Sequence, residues 1–406
     1  MKVIATEKLP IKMWLDEIED GAMEQVKHLA RLPFAFHHVA IMPDSHQGFG
    51  MPIGGVLATQ GVIIPNAVGS DIGCGMSAAK TSLTELDIDT LKKIMGKIRK
   101  TIPVGFGHNK IEVGSEEYKK IINQLVGINN FDLPTDSIGH TIGVVNREIC
   151  NAVQQIGTLG GGNHFIEIQS GSDGHIWIML HSGSRNIGLK VAGYYNKLAV
   201  ELNEKWFSGV DPKWELAFLP IDSEAGQDYI KEMNYCVEFA SANRELMMNR
   251  IMDIFEKETQ CTWPGFAERS VINIAHNYAR MENHFGHNVM VHRKGATLAS
   301  EDTIGIIPGS QGTKSYIVKG KGNAESFNSC SHGAGRTMGR KDAERNLNLE
   351  EEIKKLDDQG ILHGIRGRQD LDEASGAYKD IGTVMKNQSD LVEILVELQP
   401  LGVVKG

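Results

Sequence analysis

Gly160-Gly161-Gly162-Asn163-His164-Phe165-Ile166-Glu167-Ile168-Gln169-Ser170-Gly171-Ser172-Asp173-Gly174-His175-Ile176-Trp177-Ile178-Met179-Leu180-His181 is the stretch that decides the reading of this chain. Three glycines open a loop, and an apolar-rich run from Phe165 follows. Gln169 to Gly174 is turn material, and Ile176 to His181 is a second apolar run. The pattern predicts a β-hairpin. A turn centred between Ser172 and Asp173 sets His164 directly opposite His181, where Cβ atoms lie about 5 Å apart. Both imidazoles could then reach one metal centre. A slip of one residue would send them to opposite faces.

A second stretch points the same way. Val62-Ile63-Ile64 leads through Pro65 and Gly69 into Asp71-Ile72-Gly73-Cys74-Gly75-Met76. The predicted setting is a loop after a strand, where functional side chains often sit. Thiolate, carboxylate and imidazole are the groups that hold transition metals.

Elsewhere the periodicities mix. Residues 15–31 carry a helical stripe that ends before Pro33, and residues 34–63 read as strands and turns, including Met42-Pro43-Asp44-Ser45-His46-Gln47-Gly48. Residues 89–100 predict a basic amphipathic helix. Leu91, Ile94, Met95 and Ile98 form its apolar face, and Lys92, Lys93, Lys97, Arg99 and Lys100 point outward. Such a face is either simply solvated or touches phosphate. Residues 190–257 read as a mostly helical insertion, with Ile230, Met233, Val237, Ala240, Met247, Ile251 and Ile254 at helix spacing. Its Leu246-Met247-Met248 reads as core. Residues 288–340 return to strands and glycine loops, and 379–399 predict a helix with Ser389 as a possible N-cap. The fold class expected is mixed α/β: sheets with a helical insertion, in a single catalytic domain over 1–406, not a doubly wound dinucleotide fold.

The chain has 406 residues, 41% hydrophobic and 23% charged, as in an ordinary globular enzyme. No window approaches the roughly 18 apolar residues of a membrane span. The N-terminus lacks a signal-peptide pattern. Five cysteines at unrelated spacings form no disulfide framework. A cytoplasmic protein with reduced thiols is expected. The net charge of −9 gives no global support for nucleic-acid binding, so a binder would need a local basic patch.

With 15 histidines, one alone means little. Setting separates them. His164 follows three glycines, and His181 ends an apolar run before Ser182-Gly183-Ser184-Arg185. His276 ends Val271-Ile272-Asn273-Ile274-Ala275, and His332 sits in Ser331-His332-Gly333-Ala334-Gly335-Arg336. His28, His175, His284, His287, His292 and His363 lack such settings and read as structural; His37, His38 and His46 stay undecided. Asp71, Cys74 and three histidines make five donors, more than a tetrahedral site uses. Two ions sharing a bridging thiolate fit better. Thiolate and imidazole lean toward zinc, while the carboxylate and positions left open for phosphate permit manganese. Arg293-Lys294-Gly295, Pro308-Gly309-Ser310-Gln311-Gly312-Thr313 and Gly333–Arg336 combine glycine backbone with cations or hydroxyls, as anion-binding loops do. Together these features favour phosphoryl or nucleotidyl transfer. Neither the P-loop nor the Rossmann fingerprint occurs.

Taken jointly and in order, Asp71–Met76, Gly161–Glu167, Leu180–Arg185, His276-Asn277, His292-Arg293-Lys294-Gly295-Ala296, Pro308-Gly309-Ser310, Ser331–Arg336 and Val404-Lys405-Gly406 resemble the RtcB family of RNA ligases. The resemblance implies a GTP- and Mn²⁺-dependent enzyme. It would join an RNA 3′-phosphate or 2′,3′-cyclic phosphate to a 5′-hydroxyl, in transfer-RNA splicing or RNA repair. By motif position His332 becomes the nucleophile that carries GMP. The two-metal centre maps onto Asp71, Cys74, His164, His181 and His276, with Cys74 bridging. Asn163 would contact a phosphate. Glu167, Ser315, Tyr378 and Lys405 fall around guanine, and Phe165, Asn277, Ser310, Ala334 and Gly335 complete the GTP site. Arg185, Lys294 and Arg336 would touch phosphate or RNA. An archease-like activator is a partner that the family context admits and the sequence does not specify. The chain reads Met338-Gly339-Arg340 where the family commonly has Met-Ser-Arg. A metallophosphoesterase that hydrolyses RNA ends would share the metal donors without needing His332 or Glu167. A non-catalytic end-binding protein would not need all of the motif residues this chain retains.

Overall fold

A computed structural model of the chain describes residues 1–126, 143–264 and 271–406. Two large sheets organise it. The six-stranded sheet runs, in spatial order, Lys2–Ile4, Ile11–Met13, Ala35–His46, Ile53–Thr59, His287–Lys294 and Asn277–His284. The seven-stranded sheet runs Val271–Ala275, Gly75–Lys80, Ile176–Ser182, Phe165–Gly171, Val392–Lys405, Ser315–Gly320 and Ile304–Ile307. All neighbours in the second sheet are antiparallel. The fold is mixed α and β, and among the described residues there is no doubly wound parallel sheet.

Strand alternation sorts the second sheet into two apolar faces. Ile166, Ile168, Ile178 and Leu180 are buried against two helices, Ile88–Thr101 and Glu224–Thr259. From the long helix come Met247, Met248, Ile251 and Phe255, so the methionine pair is core, as its spacing suggested. Each such side chain contributes about 1.5–3 kcal/mol when fully buried. The opposite face carries Met76, Met179, Ile317 and Leu398. Ser223 caps the long helix by accepting from the Gly226 amide at 3.1 Å. The 190–257 stretch falls on this helix and on Arg185–Lys205 before it. Among the described residues no helix is long and apolar enough to cross a membrane.

Two local expectations fail, each for a physical reason. The hairpin exists, but Phe165, not His164, stands opposite His181. Gly171 and His175 close the ladder around a three-residue loop in which Gly174 takes φ +76°. The turn therefore centres on Asp173, half a residue later than an even loop would set it, which moves the pairing register by one. His164 escapes the alternation because it precedes the first strand residue. At the other end, 379–399 is not one helix. Asp380 caps a short helix, Ile381–Asn387, and Val392–Lys405 is a 14-residue strand. Ser389 closes the turn after the helix instead of starting one.

Candidate metal centre and adjoining cleft

Four neighbouring strands of the second sheet deliver five donors to one edge. Cys74 directly precedes Gly75–Lys80, and His276 directly follows Val271–Ala275. The His276 amide donates to the Cys74 carbonyl at 2.8 Å, extending the ladder to the donors themselves. On the other side Met76 pairs with His181. His164 enters from the start of the next strand. Gly75 is required here: a Cβ would stand 2.0 Å from the Ile274 carbonyl oxygen.

The donor atoms converge. Cys74 Sγ lies 3.2 Å from His181 Nε2 and 3.5 Å from His164 Nε2. His181 Nε2 lies 3.3 Å from His276 Nε2, and His164 Nε2 lies 3.2 Å from Asp71 Oδ2. Two trios result, Cys74–His181–His276 and Asp71–Cys74–His164, each with its donor atoms within 4.8 Å of one another and both sharing Cys74. His181 donates its Nδ1–H to the Asn163 carbonyl at 3.0 Å, which leaves Nε2 as a bare lone pair aimed at the thiol and at His276. Burial pushes the His181 and His276 imidazoles far below their ordinary pKa, so both are neutral. Burial, then the Asp71 charge, pushes the Cys74 thiol up. For Asp71, burial acts upward, but the His164 bond and charge outweigh it and hold the carboxyl below its usual range. The neutral His181 and His276 rings, the His164 ring, a thiol and a carboxylate gathered this closely fit cations, and a shared thiol fits two.

The long helix braces this centre from behind. Arg244 is 1% exposed; its Nη1 donates to the carbonyls of Gly73 at 2.9 Å and Ser182 at 3.0 Å, and its Nε to Asn273 Oδ1 at 2.7 Å. Asn243 beside it accepts from the Gly157 amide and donates to the carbonyls of Thr158 and Gly183. Neither residue was singled out in the sequence, where they are two polar positions inside a helical pattern.

His332 adjoins the metal donors, its ring 4.8 Å from that of His276. It follows the strand Ser329–Ser331. Its Nδ1 lies 2.6 Å from Asp44 Oδ2, which also accepts from the backbone amides of His332 at 3.0 Å and Gly333 at 3.3 Å. Asp44 is wholly buried. This bond assigns the proton to Nδ1 and leaves Nε2 with the free lone pair. Gly335, at φ +75°, allows the close approach, since a Cβ would meet the Asp44 carbonyl oxygen at 2.1 Å. Asp44 is the main residue missed by sequence reasoning. The Met42–Gly48 stretch was visible, but its partner lies 288 positions away.

A cleft of about 1380 Å³ opens over His332. Of the residues expected around a nucleotide, Asn163, Phe165, Glu167, Ser310, Ala334, Gly335, Tyr378 and Lys405 line it. Burial raises the Glu167 carboxyl to about 8, against a 2.6 Å bond from Gln169 Nε2. Two expected residues stand behind the wall. Ser315 Oγ accepts from Gln169 and from the Gly309 amide. Asn277 ties the Asp71 carbonyl to the Gly295 amide.

The three cations expected at phosphates sit differently. Arg336 lines the cleft but is engaged by Glu373 at 2.6 Å, the Asp372 carbonyl at 2.6 Å and the Tyr378 ring. Arg185 lies behind His164, its Nη1 3.3 Å from Nδ1 of that ring. Lys294 donates to the carbonyls of Phe49 and Asn66, and burial lowers it to about 7. Arg293 is buried in the His287–Lys294 strand and paired with Glu282, so it holds structure together instead of forming a loop for anions. His292 bridges Leu57 and Ile64, in keeping with a structural reading. His46, left undecided in the sequence, lines the cleft, as does Arg340, which is bound to Glu373 at 2.7 Å.

A family model described as tRNA-splicing ligase RtcB matches residues 25–406. The chain is 39% identical to the RNA-splicing ligase RtcB of Escherichia coli, with 100% of this chain and 99% of that protein covered. It is 32% identical to the tRNA-splicing ligase RtcB of Nanoarchaeum equitans, covering 100% of this chain and 95% of the relative. Against the tRNA-splicing ligase RtcB of Thermococcus kodakarensis the identity is 31%, over 96% and 92%.

Proposed function

This chain belongs to the RtcB family, and from that premise we propose that it is an RNA ligase using GTP and two Mn²⁺ ions. Its substrates are RNA ends bearing a 3′-phosphate or 2′,3′-cyclic phosphate and a 5′-hydroxyl, produced in transfer-RNA splicing or RNA damage. It acts as one catalytic domain over 1–406, in the cytoplasm. The observation that carries the reading is the Asp44–His332 bond at 2.6 Å beside the shared-thiol donor set.

Asp71, Cys74, His164, His181 and His276 would hold the ions. When bound, the ions neutralise phosphate charge and polarise the bonds being broken. Asp44 keeps the His332 proton on Nδ1, so Nε2 attacks the α-phosphorus of GTP. The N–P bond forms as the bond to pyrophosphate breaks. An oxygen of the RNA 3′-phosphate then takes the GMP group from His332, and Nε2 regains its lone pair. The 5′-hydroxyl attacks the activated 3′-phosphate, loses its proton and expels GMP. A cyclic phosphate is first opened by water. Glu167 accepts the N–H groups of guanine, flanked by Ser315, Tyr378 and Lys405, while Phe165, Ser310, Ala334 and Gly335 shape the cleft. Asn163 contacts phosphate. Arg340, half-exposed above Gly162, joins Arg336 as a cation for phosphate, whereas Arg185 and Lys294 support the wall.

The test is incubation with Mn²⁺ and GTP labelled at the α-phosphate. The protein takes up an acid-labile, base-stable label, and His332→Ala takes up none. No labelling of the unaltered protein under any metal condition sinks the proposal.

A further inference from the structure

The net charge of −9 hides local stretches of opposite sign. Residues 96–110 contain Lys97, Arg99, Lys100 and Lys110 and no acidic residue. They cover the end of the Ile88–Thr101 helix and the loop after it. Lys97 is taken by Glu258. Arg99 and Lys100 are exposed. Across from Arg99 stands the loop of a second exposed arginine, Arg366: a Cβ on Gly364 would be 3.9 Å from Arg99 Nη2. Burial, then the Arg366 charge, lowers the pKa of Arg99. Among the described residues neither guanidinium is paired with a carboxylate. Two like charges brought near one another on a surface suit an anion between or across them.

The loop after the helix contains Gly105-Phe106-Gly107, and the Phe106 side chain is fully exposed. The loop is fixed at its base. The Gly105 amide donates to the Gly160 carbonyl at 2.8 Å, and the Leu159 amide to the Pro103 carbonyl at 2.9 Å. Gly160 is four residues before His164. Phe106 therefore stands beside the loop that feeds the metal centre, outside the cleft lining. An aromatic ring held out by a pinned loop, seven residues after Arg99 on the helix that feeds that loop, matches the way single-stranded nucleic acid is held: a base stacks and the backbone follows the charge.

We propose that Phe106, Arg99 and Arg366 form a subsite for the unpaired RNA segment leading into the cleft. Phe106 stacks on a nucleobase, and the two guanidiniums hold backbone phosphates. This rests on the ligase reading above but is separable from it, because guanylylation of His332 needs no RNA. The experiment uses the full chain and a fluorescent single-stranded RNA with a 3′-phosphate, with Kd measured at several salt concentrations. Phe106→Ala weakens binding about tenfold, and Phe106→Trp retains it. Arg99→Gln with Arg366→Gln flattens the slope of log Kd against log salt by about 1.4, for two lost contacts on a single strand. Labelling by GTP without RNA is unchanged in every variant. Unaltered affinity and salt slope in these variants overturn the subsite, as does loss of GTP labelling along with RNA binding, which would mark a structural role. Variants that bind RNA normally but lose a protein partner assign the patch to that partner instead. No labelling of the unaltered protein overturns the ligase reading alone.

Discussion

The metal edge and the cleft beside it are built on opposite principles. At the edge, donors stand at the ends of four hydrogen-bonded strands, and register alone brings Cys74, His181 and His276 together. Their donor atoms face one another, and the nearby Arg244 is held on backbone carbonyls instead. In the cleft, three cations already have partners: Arg336 and Arg340 share Glu373, and Lys405 is bound to Asp372. One region is set before any ligand arrives. On the proposed function, the other would exchange internal ion pairs for phosphate, which makes it the natural place for selectivity.

The largest break in this contrast comes from Cys74→Ala. Removing the one atom common to both trios abolishes binding of both ions and all guanylylation, read by metal analysis and labelling; two ions retained would show that the thiol does not bridge. Asp44→Asn is next. It keeps the shape but frees the wrong tautomer, so guanylylation slows by about 10²–10⁴ with little change in the GTP concentration needed. A rate within a few-fold of the unaltered protein would remove Asp44 from the machinery. The smallest effect tests the cleft. Glu167, raised to about 8, is mostly protonated at neutral pH in the free protein. Guanine N–H groups require the carboxylate, so GTP affinity rises with pH up to about 8, by roughly tenfold per unit below it, then levels. Glu167→Gln gives a flat profile; the same slope in that variant would locate the titration elsewhere. The stability sign agrees. A raised folded pKa contributes stability that is full below the unfolded value near about 4.3 and is lost as pH rises through about 8.

What the residues alone revealed follows the same division. The five donors could be singled out because each sits where an apolar run meets glycine or polar loop, a local signal. The hairpin was legible, but its register depended on whether two or three residues form the turn, which Gly174 decides. Val392–Lys405 was misread in its first half because Leu391, Ile394, Leu395 and Leu398 also fit helical spacing. Pairing between Phe165–Gly171 and Ser315–Gly320 overrides that local preference. Asp44 and Glu373 could not be read at all. Their roles exist only through partners distant in the chain or through a loop whose path no periodicity encodes.

Arg244 and Asn243 lie in the middle of a 36-residue helix, yet their hydrogen bonds end on Gly73, Gly157, Thr158, Ser182 and Gly183. Undocking that helix would release every loop it grips at once. Melting of the helix and dispersal of the donor set are then a single cooperative transition. Ions bound at the edge would raise the melting temperature of a segment that contributes no ligand to them.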